Sequence, residues 1–365
     1  MTRVTIAVQP RPYDAIIESG SLERAGEHLR CAMGNRQKVF VVTVPPVRRK
    51  WGKKLLASLS AAGFKPRVIE MRDGEPAKKL ATIEALAENL TRMGADRDAV
   101  VVAFGGGVVG DTAGLLASLY MRGVDLVQIP TTVQAQLDAA IGGKTGVNLR
   151  TGKNLLGTFH QPRTVLIDPA VLSTLPEREF RAGLYEALKC GVIGKPPLFG
   201  CLENVEVKAL RRDALALEWV IAESVRLKAE IVSSDERENG LRRVLNFGHT
   251  IGHALEAESG YRHFLHGEAV AWGMIAATHI AAMTSRIDKG NALRISNAVL
   301  NLGSLPKILA RSRDLVRLLQ RDKKTRAGKI HFVLPREIGK VEIVNDVPEK
   351  VVMVALDELR RLSKS

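Results

Sequence analysis

Two hydrophobic patterns divide the chain. In the first half, short β-branched runs alternate with longer stretches of helical periodicity. Val4–Gln9, Tyr13–Glu18, Lys38–Val44, Arg67–Met71, Ala99–Phe104, Val124–Ile129 and Val165–Asp168 read as strands. Leu22–Leu29, Val47–Ala62, Glu75–Met93 and a stretch opening at Val108 read as the helices between them. Gly63 and Gly94 stand where C-terminal caps of two of these helices belong. Strands alternating with helices predict parallel βαβ units in a doubly wound sheet. From Leu175 the pattern turns helical: Glu177–Val192, Ala209–Ser233, Leu241–Ser259, Glu268–Ser285, Asn291–Leu302, Ser312–Gln320 and Glu349–Leu362. One late hairpin, Lys329–Leu334 with Lys340–Val344, interrupts them. The expected division is an α/β domain over 1–172 and a mainly α-helical domain over 173–365.

The glycines give the first half a chemical direction. The Ala99–Phe104 run ends in Gly105-Gly106-Gly107, and Gly105, Gly107 and Gly110 fit G-x-G-x-x-G. Such a turn lets the backbone approach a ligand and offers helix N–H groups to a pyrophosphate, the Rossmann-like arrangement for a dinucleotide. Three further segments follow: Pro130-Thr131-Thr132, Gly142-Gly143-Lys144-Thr145-Gly146 and Gly152-Lys153-Asn154. Together they point to a phosphate-bearing ligand.

Composition narrows the class. The chain has 365 residues and a formal net charge of +15. Its basic residues are dispersed and aromatics are scarce, which disfavours a stacking platform for single-stranded nucleic acid. The excess fits a basic solvated surface or attraction of an anionic small molecule. No apolar run is long enough to span a bilayer, and Met1–Gln9 lacks a signal-peptide core. The three cysteines, Cys31, Cys190 and Cys201, have no paired spacing and suit a reducing cytoplasm. The expected partners are a small anionic substrate and no nucleic acid or membrane.

The helical half carries a metal-like constellation. His249 and His253 are spaced i, i+4, and His266 opens the next predicted helix. Glu186 and Lys189 lie one turn apart on an earlier helix. Imidazole and carboxylate ligands suit a catalytic zinc, which wants three protein ligands and an open position. Thr250, Ile251 and Gly252 separate the histidines, so the HExxH motif of metalloproteases is absent. Glu238, Arg242 and Asn246 recur every four residues, as a salt-bridged face or as a row aimed at the same ligand as His249. Asp138 and Lys144 could serve catalysis or pair on the surface. Lys153 and Asn154 could bind an anion or cap a turn.

Gly105–Asp111 (GGGVVGD), Tyr120–Gly123 (YMRG), Pro130–Thr132, Gly142–Asn148 (GGKTGVN), Gly152–Asn154 (GKN), Phe159–Pro162 (FHQP), Gly183–Lys189 (GLYEALK), Leu245–Glu256 (LNFGHTIGHALE), His266–Ala269 and Asp322–Lys324 follow one another along the chain. These motifs, in this order, resemble the 3-dehydroquinate synthase family. It implies NAD and a divalent metal, Zn2+ or Co2+, as cofactors, and a homodimer. It implies metal ligands at Glu186, His249 and His266, and moves His253 from the metal to the substrate. Substrate contacts are implied at Asp138, Lys144, Asn154, Lys189, Lys228, Glu238, Arg242, Asn246 and Lys323 or Lys324. Arg122 is implied to reach the substrate phosphate of a partner subunit. Cofactor contacts are implied at Glu75, Lys78, Gly106, Gly107, Val108, Asp111, Thr131 and Thr132, with Lys144 and Lys153 close to both ligands. One departure stands out: Val44-Pro45-Pro46 replaces the acidic or Asn residue the family usually offers the adenosine ribose.

The resemblance also implies a reaction. 3-Deoxy-D-arabino-heptulosonate 7-phosphate becomes 3-dehydroquinate and phosphate by transient oxidation at C5, phosphate elimination, re-reduction, ring opening and aldol closure. Rival readings are another sugar-phosphate cyclase, a metal-dependent polyol or glycerol-phosphate dehydrogenase, and a basic nucleic-acid binder supported by charge alone.

Overall fold

The computed structural model describes residues 1–325 and 330–364, with the backbone alone over 321–325. The strands are β1 (Thr2–Ile6), β2 (Tyr13–Ile17), β3 (Lys38–Thr43), β4 (Lys65–Glu70), β5 (Val100–Gly105), β6 (Asp125–Pro130), β7 (Lys144–Leu149), β8 (Gly152–Phe159), β9 (Thr164–Ile167), β10 (Phe332–Glu337) and β11 (Lys340–Val344). Seven of them form one sheet in the order β1-β2-β9-β6-β5-β3-β4. Only the β1–β2 edge pair is antiparallel.

The runs are continuously apolar because both sheet faces are covered. Along β3, Phe40 and Val42 enter one core with Ile83, Leu86 and Leu116. Val39 and Val41 enter the other with Leu29, Leu55 and Leu59. A strand buried on both sides cannot alternate apolar with polar.

Three features go beyond the pattern or against it. The segments GGKTGVN and GKN, which carry no strand periodicity, form the β7–β8 antiparallel hairpin. Their glycines do not prevent pairing, because Gly146 faces Gly157 across the ladder and backbone approaches backbone there. Next, Ala209–Ser233 is not one helix. Asp213 turns to extended backbone and separates Val207–Arg212 from Ala214–Ser234.

The third feature concerns the division at 172/173. Two compact units are Met1–Pro176 with Ala214–Arg237, and Glu177–Asp213 with Glu238–Ser365. The helix Ala214–Ser234 thus belongs with the sheet. Ser233 accepts the Ala7 N–H at 2.8 Å and Glu218 accepts the Ser19 N–H at 3.2 Å. No periodicity along the helix could announce that choice.

The second unit is helical, with the β10–β11 hairpin. Lys329, the expected start of that hairpin, lies outside the described residues. At its centre runs His266–Met283, apolar on nearly every side and buried accordingly. Glycines set how closely its neighbours approach. A Cβ at Gly267 would fall 1.8 Å from the Ala182 carbonyl oxygen of helix Glu177–Gly194. A Cβ at Gly273 would fall 1.8 Å from the Gly248 carbonyl oxygen, just before helix His249–Glu258. At Gly252 it would lie 3.0 Å from the Ala269 carbonyl oxygen. Three helix backbones therefore pack without side chains between them.

Gly273→Ala should lower stability by about 1–3 kcal/mol, because a methyl there collides with rigid backbone. Gly200→Ala, where the added Cβ meets open space within helix Pro196–Glu203, should raise stability by up to about 1 kcal/mol through helix propensity. Thermal or urea unfolding of both variants checks the contrast.

Candidate active site

In the sheet unit, β5 ends at Gly105, and helix Gly107–Leu119 starts after Gly106 with no side-chain cap. The turn is tight. Thr131 donates its N–H to the Gly105 carbonyl at 2.9 Å, and a Cβ on Gly106 would lie 3.0 Å from Thr132 Cγ2. The helix therefore presents its first N–H groups and its positive dipole end to an anion. Gly106, Gly107, Val108, Thr131 and Thr132 all stand at these strand ends. Thr131 Oγ1 is buried and has no hydrogen-bond partner among the described residues. A buried hydroxyl left without a partner fits an oxygen-rich ligand such as a dinucleotide.

A second group gathers beside Lys78. Its buried ammonium donates to Asp111 and to Asn154. Burial pushes the Asp111 carboxyl above its usual range, and the Lys78 charge opposes that rise. Asn148, in β7, binds the group together. Its Nδ2 donates to Glu75 Oε1 at 2.7 Å, and its Oδ1 accepts the Asn154 N–H at 2.9 Å. Its own N–H donates to the Lys78 carbonyl at 2.9 Å. Asn154 is held at φ +55°, a left-handed backbone that Asn tolerates better than most residues. Lys153 Nζ lies 3.8 Å from Glu75 Oε1. Elsewhere in the unit, Lys228 Nζ donates to both the carbonyl and Oδ1 of Asp138, each at 2.6 Å. Lys144 is exposed at the start of β7, and Arg122 is exposed at φ +67° in the turn after helix Gly107–Leu119. At Val44-Pro45-Pro46 a short helical turn opens directly after β3.

In the helical unit, Glu186 is fully buried. Lys189 Nζ, one turn on, makes a 2.6 Å ion pair with Oε2 but is not aligned as a hydrogen bond. Neither carboxylate oxygen accepts a hydrogen bond among the described residues. His249 and His266 are the first residues of their helices. His249 Nδ1 lies 3.1 Å from the Phe247 carbonyl, and His266 Nδ1 lies 3.3 Å from Glu256 Oε2. Their Nε2 atoms lie 3.9 and 3.5 Å from Glu186 Oε1. One ring nitrogen from each of His249, His253 and His266 falls within 4.8 Å of the others.

Burial, helped by the Lys189 charge, holds the His249 imidazole well below its ordinary pKa, so it stays neutral. Burial also lowers His266, but the Glu256 hydrogen bond and the Glu256 and Glu186 charges outweigh it and raise that group. A buried carboxylate with orphaned oxygens, facing imidazole nitrogens, fits a divalent cation of the zinc or cobalt type.

The four-residue row preceding His249 needs correction. Leu241–Asn246 is a 3-10 turn, and the α-helix starts only at His249, after Gly248. Gly248 takes φ +81°, and a Cβ there would meet the Val270 carbonyl at 2.7 Å, so the chain reverses where a side chain could not sit. Glu238, at φ +61°, Arg242 and Asn246 thus share no helical face. Asn246 Nδ2 nonetheless donates to Glu238 Oε1 at 2.8 Å, and Arg242 is almost wholly buried. The side chains of Lys323 and Lys324 lie outside the described residues. Sequence reasoning passed over Asn148 and Glu256. For Glu256 a signal existed: it follows His249 and His253 at i+7 and i+3, on the same helical face.

The fold and site define a class: a dinucleotide-binding parallel-sheet unit and a helical unit with clustered imidazoles on one chain, as in the sugar-phosphate cyclases. The family profiles described as 3-dehydroquinate synthase N-terminal and C-terminal match residues 68–182 and 183–325. A 3-dehydroquinate synthase of Koribacter versatilis (strain Ellin345) is 52% identical over 100% of this chain and 99% of its own length. One of Solibacter usitatus (strain Ellin6076) is 47% identical over 98% and 99%. Among solved structures, ValA (2-epi-5-epi-valiolone synthase) from Streptomyces hygroscopicus subsp. jinggangensis 5008, with NAD+ and Zn2+ bound, superposes with a TM-score of 0.88. It is 32% identical over 98% of this chain and 99% of its own. A 2-deoxy-scyllo-inosose synthase at 23% identity shares the fold, with a TM-score of 0.85. The chain belongs to the 3-dehydroquinate synthase family.

Lys78→Met should destabilise the sheet unit by about 1–3 kcal/mol, because the partly buried Asp111 carboxylate loses its cation. The double variant K78M/D111N should recover part of that loss. Urea unfolding at pH 7 of the two variants and the parent measures it.

Proposed function

We propose that this chain converts 3-deoxy-D-arabino-heptulosonate 7-phosphate to 3-dehydroquinate and phosphate, using NAD and a divalent cation. Family membership supports the reaction. The observation that carries the chemistry is Glu186, a buried carboxylate without hydrogen-bond donors, facing the Nε2 atoms of His249 and His266. When bound, NAD supplies a transient hydride acceptor and the cation a Lewis acid for the substrate's neighbouring hydroxyls.

The protein's share is binding and orientation. Gly106, Gly107 and Val108 offer backbone N–H groups to the pyrophosphate. Thr131, Thr132, Glu75, Lys78, Asp111 and Lys153 hold the rest of the dinucleotide. Glu186, His249 and His266 hold the cation. Lys144, Lys189, Lys228 and Arg242, with Lys323 or Lys324, provide cationic contacts for the substrate's phosphate and carboxylate. Asp138, Asn154, Glu238, Asn246 and His253 complete its polar contacts. These roles follow the family pattern residue by residue.

The same reading gives the chain a homodimer and a cytoplasmic setting. Exposed Leu119, Met121, Leu149, Leu155, Leu156 and Phe159 belong to helix Gly107–Leu119, its following turn and the β7–β8 hairpin. Ser118 and Thr158 join the helix and hairpin through a 2.8 Å hydrogen bond. An apolar surface of this kind suits a second copy, and Arg122 stands in that turn. All three cysteines are free, and no helix among the described residues is long and apolar enough to cross a membrane.

Zinc-loaded protein with NAD and the heptulosonate phosphate should release phosphate and 3-dehydroquinate in equal amounts, with no build-up of NADH at 340 nm. Folded, loaded protein that accumulates NADH and releases no phosphate is a dehydrogenase instead. His249→Ala should lose bound zinc and turnover together, read by metal analysis of the dialysed protein. Arg122→Ala should chiefly raise the substrate KM. Mixed with His249→Ala it should regain activity only if subunits share a site.

A further inference from the structure

Glu256 has no part in the reaction as assigned above, yet it is 2% exposed and lies against His266. It sits on the last turn of helix His249–Glu258, one face with His249 and His253. The chain beyond pins it, since Ser259 Oγ and the Tyr261 N–H both donate to its carbonyl, at 3.0 and 2.8 Å. Its Oε2 lies 3.3 Å from His266 Nδ1, while His266 Nε2 points at Glu186 Oε1. His249 repeats this arrangement with a neutral outer partner, the Phe247 carbonyl. Both rings are thus gripped at Nδ1 from outside and present Nε2 inward. Only at His266 is the grip a carboxylate. A carboxylate at Nδ1 keeps the proton there, leaves the Nε2 lone pair free and strengthens it as a donor to a cation.

We propose that Glu256 is a positioning residue: it holds the His266 ring with Nε2 toward Glu186 and thereby tightens binding of the divalent cation. This rests on reading Glu186, His249 and His266 as the ligands.

The test is a competition titration of the metal-free full chain with zinc and a chelator, comparing the parent, Glu256→Ala, Glu256→Gln and His249→Ala. Glu256→Ala should bind zinc roughly 10–100-fold more weakly. Glu256→Gln keeps an acceptor oxygen and should fall between the two. The visible bands of the cobalt-loaded protein should shift in Glu256→Ala, a change that lost packing alone would not produce. Parent-like zinc affinity in both Glu256 variants, while His249→Ala loses the metal, overturns the proposal alone. Zinc binding absent from the parent, or unchanged in His249→Ala, overturns the ligand reading and the proposal with it. Should Glu256→Ala not fold, Glu256→Gln decides: weaker zinc binding upholds the proposal and parent-like binding overturns it.

Discussion

Close backbone contact among three helices is the constraint on which the helical unit depends. Gly267 abuts Ala182 and Gly273 abuts Gly248 at distances that exclude a side chain, and Gly252 lies tightly against Ala269. Glu186, His249, His253 and His266 ride on those same helices, within a turn or two of the contacts. Short interaxial spacing lets the His249 and His266 imidazoles, from two helices, come within 3.9 Å of the Glu186 carboxylate on a third. With larger residues at the contacts, apolar packing could still cover a core. The nitrogen and oxygen atoms would then stand farther apart.

Both units also bury charge. Glu186, Lys189, Arg242 and Glu256 are buried in the helical unit and Lys228 in the sheet unit. Burying charge costs several kcal/mol unless partners compensate (order of magnitude). Lys228 is compensated twice over by Asp138, and Lys78 by Asp111 and Asn154. Glu186 faces the Lys189 ammonium and two imidazoles but accepts no hydrogen bond among the described residues. An apolar core of equal volume would serve stability better. Much of that cost falls on residues proposed above as ligand contacts, as expected when local rules yield to function.

Much of this was legible from residue pattern. The β-branched runs are strands because burial on both faces leaves no room for alternation, and Phe40 and Val41 show the two faces filled. The glycine turn after β5 opens a helix where its spacing placed one. His249 and His253 share a helix face, and His266 begins the next helix. Other features escaped. The β7–β8 hairpin is rich in glycine and polar residues, so its strands carry no periodic signature. The row Glu238, Arg242 and Asn246 looked helical by spacing, but Gly248 imposes a reversal that delays the helix to His249.

Chain order by itself determined the alternating α/β half, the helical half, the glycine turn and the residue types able to hold a cation. These are local properties, set by side-chain period and backbone freedom within a few residues. Tertiary structure alone decided that Ala214–Ser234 joins the sheet unit, that Asn148 binds Glu75 to Asn154, and that Glu256 grips His266 from behind. Such facts depend on which surfaces meet after collapse, and contacts between distant segments leave no period in the chain that makes them.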